Sequence, residues 1–497
     1  MPHPLPSSCL VKHAGFAGRI GHAVLAGVAA LGVTLAATPR VAAPQDDAAG
    51  WGASAHDSLA RAILVELVEV NTAPSGGEMT RATRAMARRL LAAGYAARDV
   101  DLAGPDARHL NLVARLRGRD PAAKPIVLMA HIDVVEALRS DWSMDPYTLH
   151  EKDGYFYGRG VTDNKGGAAI LVANMIRWKR ERFVPARDVI VMLTADEETS
   201  GRSGIQWLLK HRPALAKAEY ALNTDAGGML EREGKTTAFY VQSSEKMYQS
   251  FTFEVTNRGG HSSVPRDDNA IYTLAAGLAR LEQHRFPVMV NEVTRTSFAR
   301  SAGLESGAMA DAMRAVGRGD TSAAAVALLA AEPQLNGNLR TTCVATMLAG
   351  GHAENALPQR ATATVNCRIF PGVPVSEVQE TLRRVVADSA IRIAPVQAST
   401  PSPASPLRPD VFGALERLAR GIWPGATTIP IMENGATDGL YLRNLGVPVY
   451  GVSGPLFDIA DDRAHGRDER VTVRHFSQVR ELWYRMVREL AGGAPVS

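Results

Sequence analysis

Pro125-Ile126-Val127-Leu128-Met129-Ala130-His131-Ile132-Asp133 is an apolar run that closes on a histidine and a carboxylate. A short run with no polar interruption reads as a strand buried on both faces, as inside a parallel sheet. Two further runs repeat the pattern. Residues 188–194 lead into Thr194-Ala195-Asp196-Glu197-Glu198, and residues 220–223 lead into Thr224-Asp225. In an open α/β sheet, ligands bind outside the carboxyl ends of the strands. Three strands thus carry histidine and carboxylates toward one edge. Any one of these motifs alone is more often a solvated turn, and their coincidence is what points to a site. His131 and Asp133 are two apart on an extended chain and share a face, so Asp133 is placed to orient the imidazole, directly or indirectly. Glu197 and Glu198 are adjacent and point different ways, so one can hold a metal while the other faces a bound water.

Outward from these strands, helical spacing over 58–70 and 80–94 alternates with the apolar runs, which is the rhythm of an α/β fold. Near residue 248 the texture changes. A strand pattern over 250–256 is followed by a helix over 269–282, strands over 341–349 and 361–370, a helix over 376–387 and a strand over 391–395. That order describes a small α+β sandwich. An Ala-rich insertion, 286–338, with at least two helical patterns, separates its first helix from its second strand. The Ser- and Pro-rich stretch 399–406 reads as a linker, and 407–490 completes the first domain. The expected organisation is an α/β domain in two parts, 50–245 and 405–490, with a second domain, 246–398, inserted into it.

Composition agrees. At roughly 150 residues per domain, 497 residues make two or three domains, and 46% hydrophobic with 21% charged residues excludes a disordered, collagen-like or multi-span chain. The net charge of +4 is concentrated at the start: residues 1–44 hold Lys12, Arg19 and Arg40 and no acid, leaving 52 basic against 51 acidic residues. Such a balance gives no electrostatic case for nucleic acid. Lys12 and Arg19 precede a 15-residue apolar run, 23–37, and Val41-Ala42-Ala43 has the small residues of a cleavage site. Residues 1–43 therefore read as an export signal, too short to span a bilayer, and the mature protein is expected in the periplasm or secreted, with no membrane span. Three cysteines are too few for a disulfide scaffold.

Two other chemistries fail on spacing. Tyr157-Gly158-Arg159-Gly160-Val161-Thr162-Asp163-Asn164-Lys165-Gly166-Gly167 enters a helix but places Asp163 where a dinucleotide fingerprint has its third glycine. Gly451-Val452-Ser453-Gly454-Pro455 lacks the second glycine of a serine-hydrolase elbow.

Taken together, these motifs resemble the co-catalytic zinc metallopeptidase family of aminoacylase, carboxypeptidase S, glutamate carboxypeptidase and succinyl-diaminopimelate desuccinylase, over about residues 60–480 in unbroken order. The resemblance implies an α/β catalytic domain with an inserted α+β sandwich lid of the dimerisation type, and two zinc ions per chain, with cobalt or manganese as substitutes. His131 and Asp225 would hold one ion and Glu198 and His465 the other. Asp163 would bridge them through a cis peptide to Asn164, Glu197 would be the general base, and Asp133 would support His131. His465, in Asp461-Asp462-Arg463-Ala464-His465-Gly466-Arg467-Asp468-Glu469, is a ligand that spacing alone would leave as a surface histidine. Asp225 stands where many members have Glu, a feature of the dipeptidase and aminopeptidase side. In the lid, His261 of Gly259-Gly260-His261-Ser262-Ser263 would reach an active site, often a neighbouring subunit's, and Arg368 of Asn366-Cys367-Arg368 would grip a substrate carboxylate. Asn355 of Ala353-Glu354-Asn355-Ala356 and Gly435 would add substrate contacts, and a homodimer would form through the lid.

The implied reaction is hydrolysis of a peptide or N-acyl amide in a small substrate with a free carboxylate, of exopeptidase or dipeptidase type. An N-acyl-amino-acid amidohydrolase is the alternative, and a non-catalytic periplasmic binding protein the remote one. Numbering adds one expectation. If 341–349 and 361–370 form a hairpin closed around Asn355, Cys343 and Cys367 face each other and form a disulfide in an exported protein, unless a bulge breaks the register.

Overall fold

The computed structural model describes residues 51–199, 204–452, 461 and 463–492. The export segment read at 1–43, with Cys9, lies outside the described residues. Helix α1 (Ala55–Val68) starts on a reciprocal cap, in which Asp57 N–H donates to Ser54 Oγ and Ser54 N–H to the Asp57 carboxylate. α2 (Met79–Ala92), β1 (Val100–Ala103), β2 (Asn111–Leu116) and β3 (Ile126–His131) follow. The short pair β4 (His150–Lys152) and β5 (Tyr155–Tyr157) precedes α3 (Lys165–Arg180), β6 (Val189–Thr194), α4 (Gly204–His211), β7 (Tyr220–Asn223), β8 (Gly228–Arg232) and β9 (Lys235–Glu245).

The chain then leaves for a second layer: β10 (Met247–Thr256), β11 (Gly260–His261), α5 (Ala270–Gln283), α6 (Glu292–Ser301), α7 (Gly307–Gly317), α8 (Ala323–Ala331), α9 (Pro333–Leu339), β12 (Thr342–Gly350), β13 (Ala356–Leu357), β14 (Arg360–Ile369), α10 (Val375–Val386) and β15 (Arg392–Pro395). It returns as α11 (Pro409–Ile422), β16 (Thr427–Glu433), α12 (Gly439–Asn444), β17 (Val449–Val452), β18 (Arg470–Thr472) and α13 (Val473–Leu490).

The large sheet runs β1-β2-β6-β3-β7-β17-β9-β16, with β8 against β9. Its centre, β6, β3, β7 and β17, is parallel. Every residue of β3 and β6 is buried, because helices cover both faces. α1, α2, α3, α11 and α13 pack on one face, and α4 and α12 on the other. α3 is buried along nearly its whole length. Its start lies so close to the end of β7 that a Cβ on Gly167 would fall 2.2 Å from Thr224 Oγ1. The parallel centre is what brings the carboxyl ends of β3, β6 and β7 to one edge.

The second sheet is antiparallel, β12-β14-β10-β15, with α5 and α10 on one face. Ala361, Ala363, Val365, Cys367 and Ile369 alternate into that core. Cys343 pairs with Cys367 across β12 and β14 and the two are disulfide-bonded. A bulge between Ala345 and Met347 shifts the register toward the hairpin tip, where Met347 faces Thr364. The cysteines lie on the unshifted side of it. Helices α6 to α9 form their own small core around Phe298, Met313, Val316, Leu329 and Leu339, and α6 packs on β16.

The stretch 399–406 joins β15 to α11 without regular structure, as a linker does, but two of its serines are fixed in place. Ser402 and Ser405 are buried, Ser402 Oγ donates to Glu245 Oε1 at 2.8 Å, and Ser405 N–H donates to the Ser243 carbonyl at 2.8 Å. The outgoing and returning crossings between the two layers are pinned to each other, so serine here is a hydrogen-bonding residue of the interior rather than a sign of loose chain. Among the described residues, no helix is long and apolar enough to cross a membrane.

Candidate active site

The edge of the large sheet gathers the residues singled out above. His131 closes β3. Its Nδ1 lies 3.1 Å from the backbone carbonyl of Asp133, which only accepts, so that nitrogen carries the proton. Nε2 then faces Asp163 Oδ1 at 2.9 Å and Asp225 Oδ1 at 3.2 Å. On the far side of Asp163, Oδ2 lies 3.0 Å from His465 Nε2, which also meets Glu198 Oε1 at 2.9 Å. The two oxygens of one carboxylate thus face two different imidazoles, each with a further carboxylate beside it.

Asp133 holds the site together at a point that spacing only half anticipates. Its side chain is 3.6 Å from His131 Nδ1, while its Oδ2 accepts Glu198 N–H at 2.8 Å. It ties the end of β3 to the turn after β6. In that turn Asp196 is left-handed, with φ +63°, a conformation an L residue keeps only where its surroundings impose it. Glu197, half-buried, follows it.

Asp163 sits on the loop before α3, and the peptide bond to Asn164 is cis. Asn164 Nδ2 donates to the Thr224 carbonyl at 3.0 Å and Thr224 Oγ1 donates to Asn164 Oδ1 at 2.6 Å. The loop is thereby bound to the segment that carries Asp225. The other anchor is Glu469, wholly buried. Its carboxylate pairs with Arg159 at 2.7 Å and accepts the N–H groups of Gly160, Thr162 and Asp163 and the Thr162 hydroxyl, all within 3.1 Å. Sequence reasoning named the segment but not this residue. The available signal was an acid four positions beyond His465, in a run that must fold back under the glycine-rich loop. Asp438 was missed as well. It is buried, and its Oδ2 accepts from Thr194 Oγ1 at 2.7 Å.

The crowding of acids has electrostatic consequences for the polypeptide alone. Burial raises the Asp225 carboxyl to about 6, helped by the charges of Asp163 and Glu198 and opposed by His131. Burial, with Asp225, Asp438 and Glu198, raises Glu197 well above the carboxylate range against the pull of His131. Burial pushes Asp438 up to about 7. Burial also acts on Asp163, but hydrogen bonds from both imidazoles outweigh it and hold that carboxyl low. Hydrogen bonds from Asp163 and Glu198 raise His465 to about 10.

Without a proton on Nε2, His131 would turn a lone pair toward two carboxylate oxygens, an arrangement a bound cation would complete. His131, Asp163 and Glu198 each offer a donor atom within 4.8 Å of the others, and imidazole nitrogen with carboxylate oxygen is a donor set zinc takes. The residues fit a metal.

The remaining residues lie elsewhere. His261 and Asn355 are together in the second layer, where Ser262 N–H donates to the Asn355 carbonyl at 3.1 Å. Both are exposed, and His261 makes its hydrogen bonds to Ser263 rather than to the His131–His465 group. Arg368, half-buried on β14, lies over the Tyr248 ring at 4.8 Å. Gly435 is exposed on the loop after β16.

Comparison with known proteins agrees with this arrangement. Residues 127–489 match peptidase family M20/M25/M40. The N-fatty-acyl-amino acid synthase/hydrolase PM20D1 of Homo sapiens is 29% identical over 380 residues, 73% of each chain. The probable carboxypeptidase S-like 2 of Dictyostelium discoideum is 27% identical over 393 residues, 76% of this chain and 74% of that one. Among solved structures, an M20 family metallo-carboxypeptidase from Sulfolobus solfataricus superimposes with a TM-score of 0.65 at 16% identity, over 87% of this chain and 99% of that one. Human carnosine dipeptidase 1 gives 0.62 at 18%, over 88% and 97%. The non-catalytic binding-protein reading falls with these matches. The chain belongs to peptidase family M20/M25/M40 and is an enzyme of its metallopeptidase and amidohydrolase class.

Proposed function

We propose that this chain is a dinuclear zinc hydrolase that cleaves the amide bond of small peptides bearing a free carboxylate, in the manner of an exopeptidase or dipeptidase. The observation that carries the reading is Asp163, whose two oxygens face His131 and His465 separately. His131, Asp225 and one Asp163 oxygen would hold one ion; His465, Glu198 and the other oxygen would hold the second. Bound there, the ions would supply Lewis acidity to the scissile carbonyl and lower the pKa of water.

The chain's own groups do the rest. Glu197 takes a proton from the attacking water as its oxygen bonds to the carbonyl carbon. It returns the proton to the amine nitrogen as the C–N bond breaks. His261 Nδ1 accepts Ser263 N–H at 3.1 Å, so a neutral ring carries its proton on Nε2, free to stabilise the oxyanion. Arg368 is a planar fork for the substrate carboxylate; its described neighbours supply an aromatic face and no acid. Asn355 and Gly435 complete the contacts.

His261 stands exposed in the second layer, which favours its service to a second copy's site. β12 is an edge strand with Val344, Met347 and Leu348 at least 60% exposed, and Tyr272 of α5 is 71% exposed. An uncovered apolar edge of this kind pairs readily with its own copy, so the lid is read as the dimer interface. The Cys343–Cys367 disulfide supports an exported, oxidising location.

An N-acyl-amino-acid amidohydrolase is the second reading, favoured by the relatives that carry the name N-fatty-acyl-amino acid synthase/hydrolase. Product analysis with dipeptides and N-acyl amino acids, with and without chelator, separates the two. Metal titration tests the bridge: Asp163→Ala should lose more metal than Asp225→Ala, and equal loss would overturn the bridging role.

A further inference from the structure

We propose that Asp438 is a positioning residue for the turn that carries Glu197, acting through the hydroxyl of Thr194. The inference rests on the reading of Glu197 as the base. Thr194 is the last residue of β6. Its backbone faces His131 in the β3·β6 register, and its carbonyl accepts Ile132 N–H at 2.9 Å. Its hydroxyl donates to Asp438 Oδ2 at 2.7 Å, with the Ala130 carbonyl a longer alternative at 3.4 Å. Thr194 therefore stands where the histidine-bearing strand and the base-bearing turn part company. Three residues on, past left-handed Asp196, the chain presents Glu197. Such a turn keeps its aim only if the residues leading into it are fixed.

The loop that brings Asp438 is itself fastened from behind. Thr437 Oγ1 donates to Glu245 Oε2 at 3.0 Å and accepts Gly439 N–H at 3.1 Å. Glu245 closes β9, one residue before the crossing into the second layer, and is held by Arg443 at 3.0 Å and by Ser402 at 2.8 Å. A buried thread thus runs from the crossing, through Glu245, Thr437 and Asp438, to the strand end that leads to the base. Among the described residues, Thr194 is the one side chain hydrogen-bonded to the Asp438 carboxylate. Burying an acid is expensive, and an apolar pair of the same shape would be about as stable. The arrangement makes sense as a means of placing Thr194 and the turn beyond it.

The test compares Thr194→Val, Thr194→Ser, Asp438→Ala and the double variant Thr194→Val/Asp438→Ala in the metal-loaded enzyme, on the best dipeptide or N-acyl amino acid. Thr194→Val and Asp438→Ala should each lower kcat about 10- to 100-fold, the range a small misplacement of a reacting group costs, with KM and bound metal unchanged. The double variant should be no slower than the slower single one, because both remove the same tie. Thr194→Ser, which keeps the hydroxyl, should restore most of kcat. A wild-type protein without chelator-sensitive hydrolysis overturns the reading of Glu197 and this inference with it. An active wild type whose Thr194→Val and Asp438→Ala variants keep their kcat, or lose it together with metal, overturns this inference alone.

Discussion

Glu197 and Glu198 are neighbours with different surroundings. Glu198 meets His465 at 2.9 Å and has its N–H held by Asp133, whereas burial and the acids around Glu197 raise its affinity for a proton, which makes its carboxylate the stronger base. Glu198→Gln should therefore lose metal, while Glu197→Gln should keep both ions and lose about 10²–10⁴-fold in kcat, the usual contribution of a general base. Metal content and kcat measured on both variants check this, and a metal-poor Glu197→Gln would reverse the two roles. Glu469 calls for a stability measurement. It is wholly buried against Arg159, so Glu469→Ala leaves an uncompensated guanidinium and should cost about 3–5 kcal/mol in urea unfolding. Which side chains stand at the strand ends was legible in the sequence, because an apolar run announces its own end. Glu469 and Asp438 were not, since each meets its partner from a distant part of the chain.

The crossing between β9 and β10 has a titration of its own. Lys246 is fully buried, and its Nζ donates to the Arg340 carbonyl at 2.6 Å. Burial, with the charges of Arg368 and Arg340, pushes its pKa down from 10.5 to about 7. Between those values the unfolded chain holds a proton that the folded chain does not, so this lysine makes stability rise as pH climbs from about 7 toward 10.5. Unfolding midpoints across that window should rise less steeply in Lys246→Met than in wild type; equal slopes would discard the argument. Element by element, β14 follows the alternation visible in the sequence, since a half-buried strand writes its two faces into every second residue, whereas β12 is exposed along most of its length. The Ser- and Pro-rich return crossing is legible only in part. Its composition is that of a loop, and only the tertiary structure shows that Ser402 is buried against Glu245.

Across the whole molecule, the disulfide among the described residues lies inside the second layer, between β12 and β14. The Cys343–Cys367 bond spans a sequence separation of 24, and closing a loop of that size stabilises a fold by about 3 kcal/mol on chain-entropy grounds. The Cys343→Ser/Cys367→Ser variant should lose stability of that order in denaturant while keeping its far-UV spectrum; an unchanged midpoint would show that the reduced chain is already as constrained. The sequence by itself determined the α/β alternation, the inserted sandwich, the strand ends that carry His131, Glu197, Glu198 and Asp225, and the facing cysteines, because periodicity and local spacing are properties of neighbours along the chain. Only the tertiary structure decided that one Asp163 carboxylate lies between His131 and His465, that Glu469 grips its loop from beneath, and that Asp438 reaches Thr194. Apart from His131 with Asp163, those contacts join residues more than two hundred positions apart, and their distances are set by how the parallel strands stack their carboxyl ends at one edge, which no local pattern encodes.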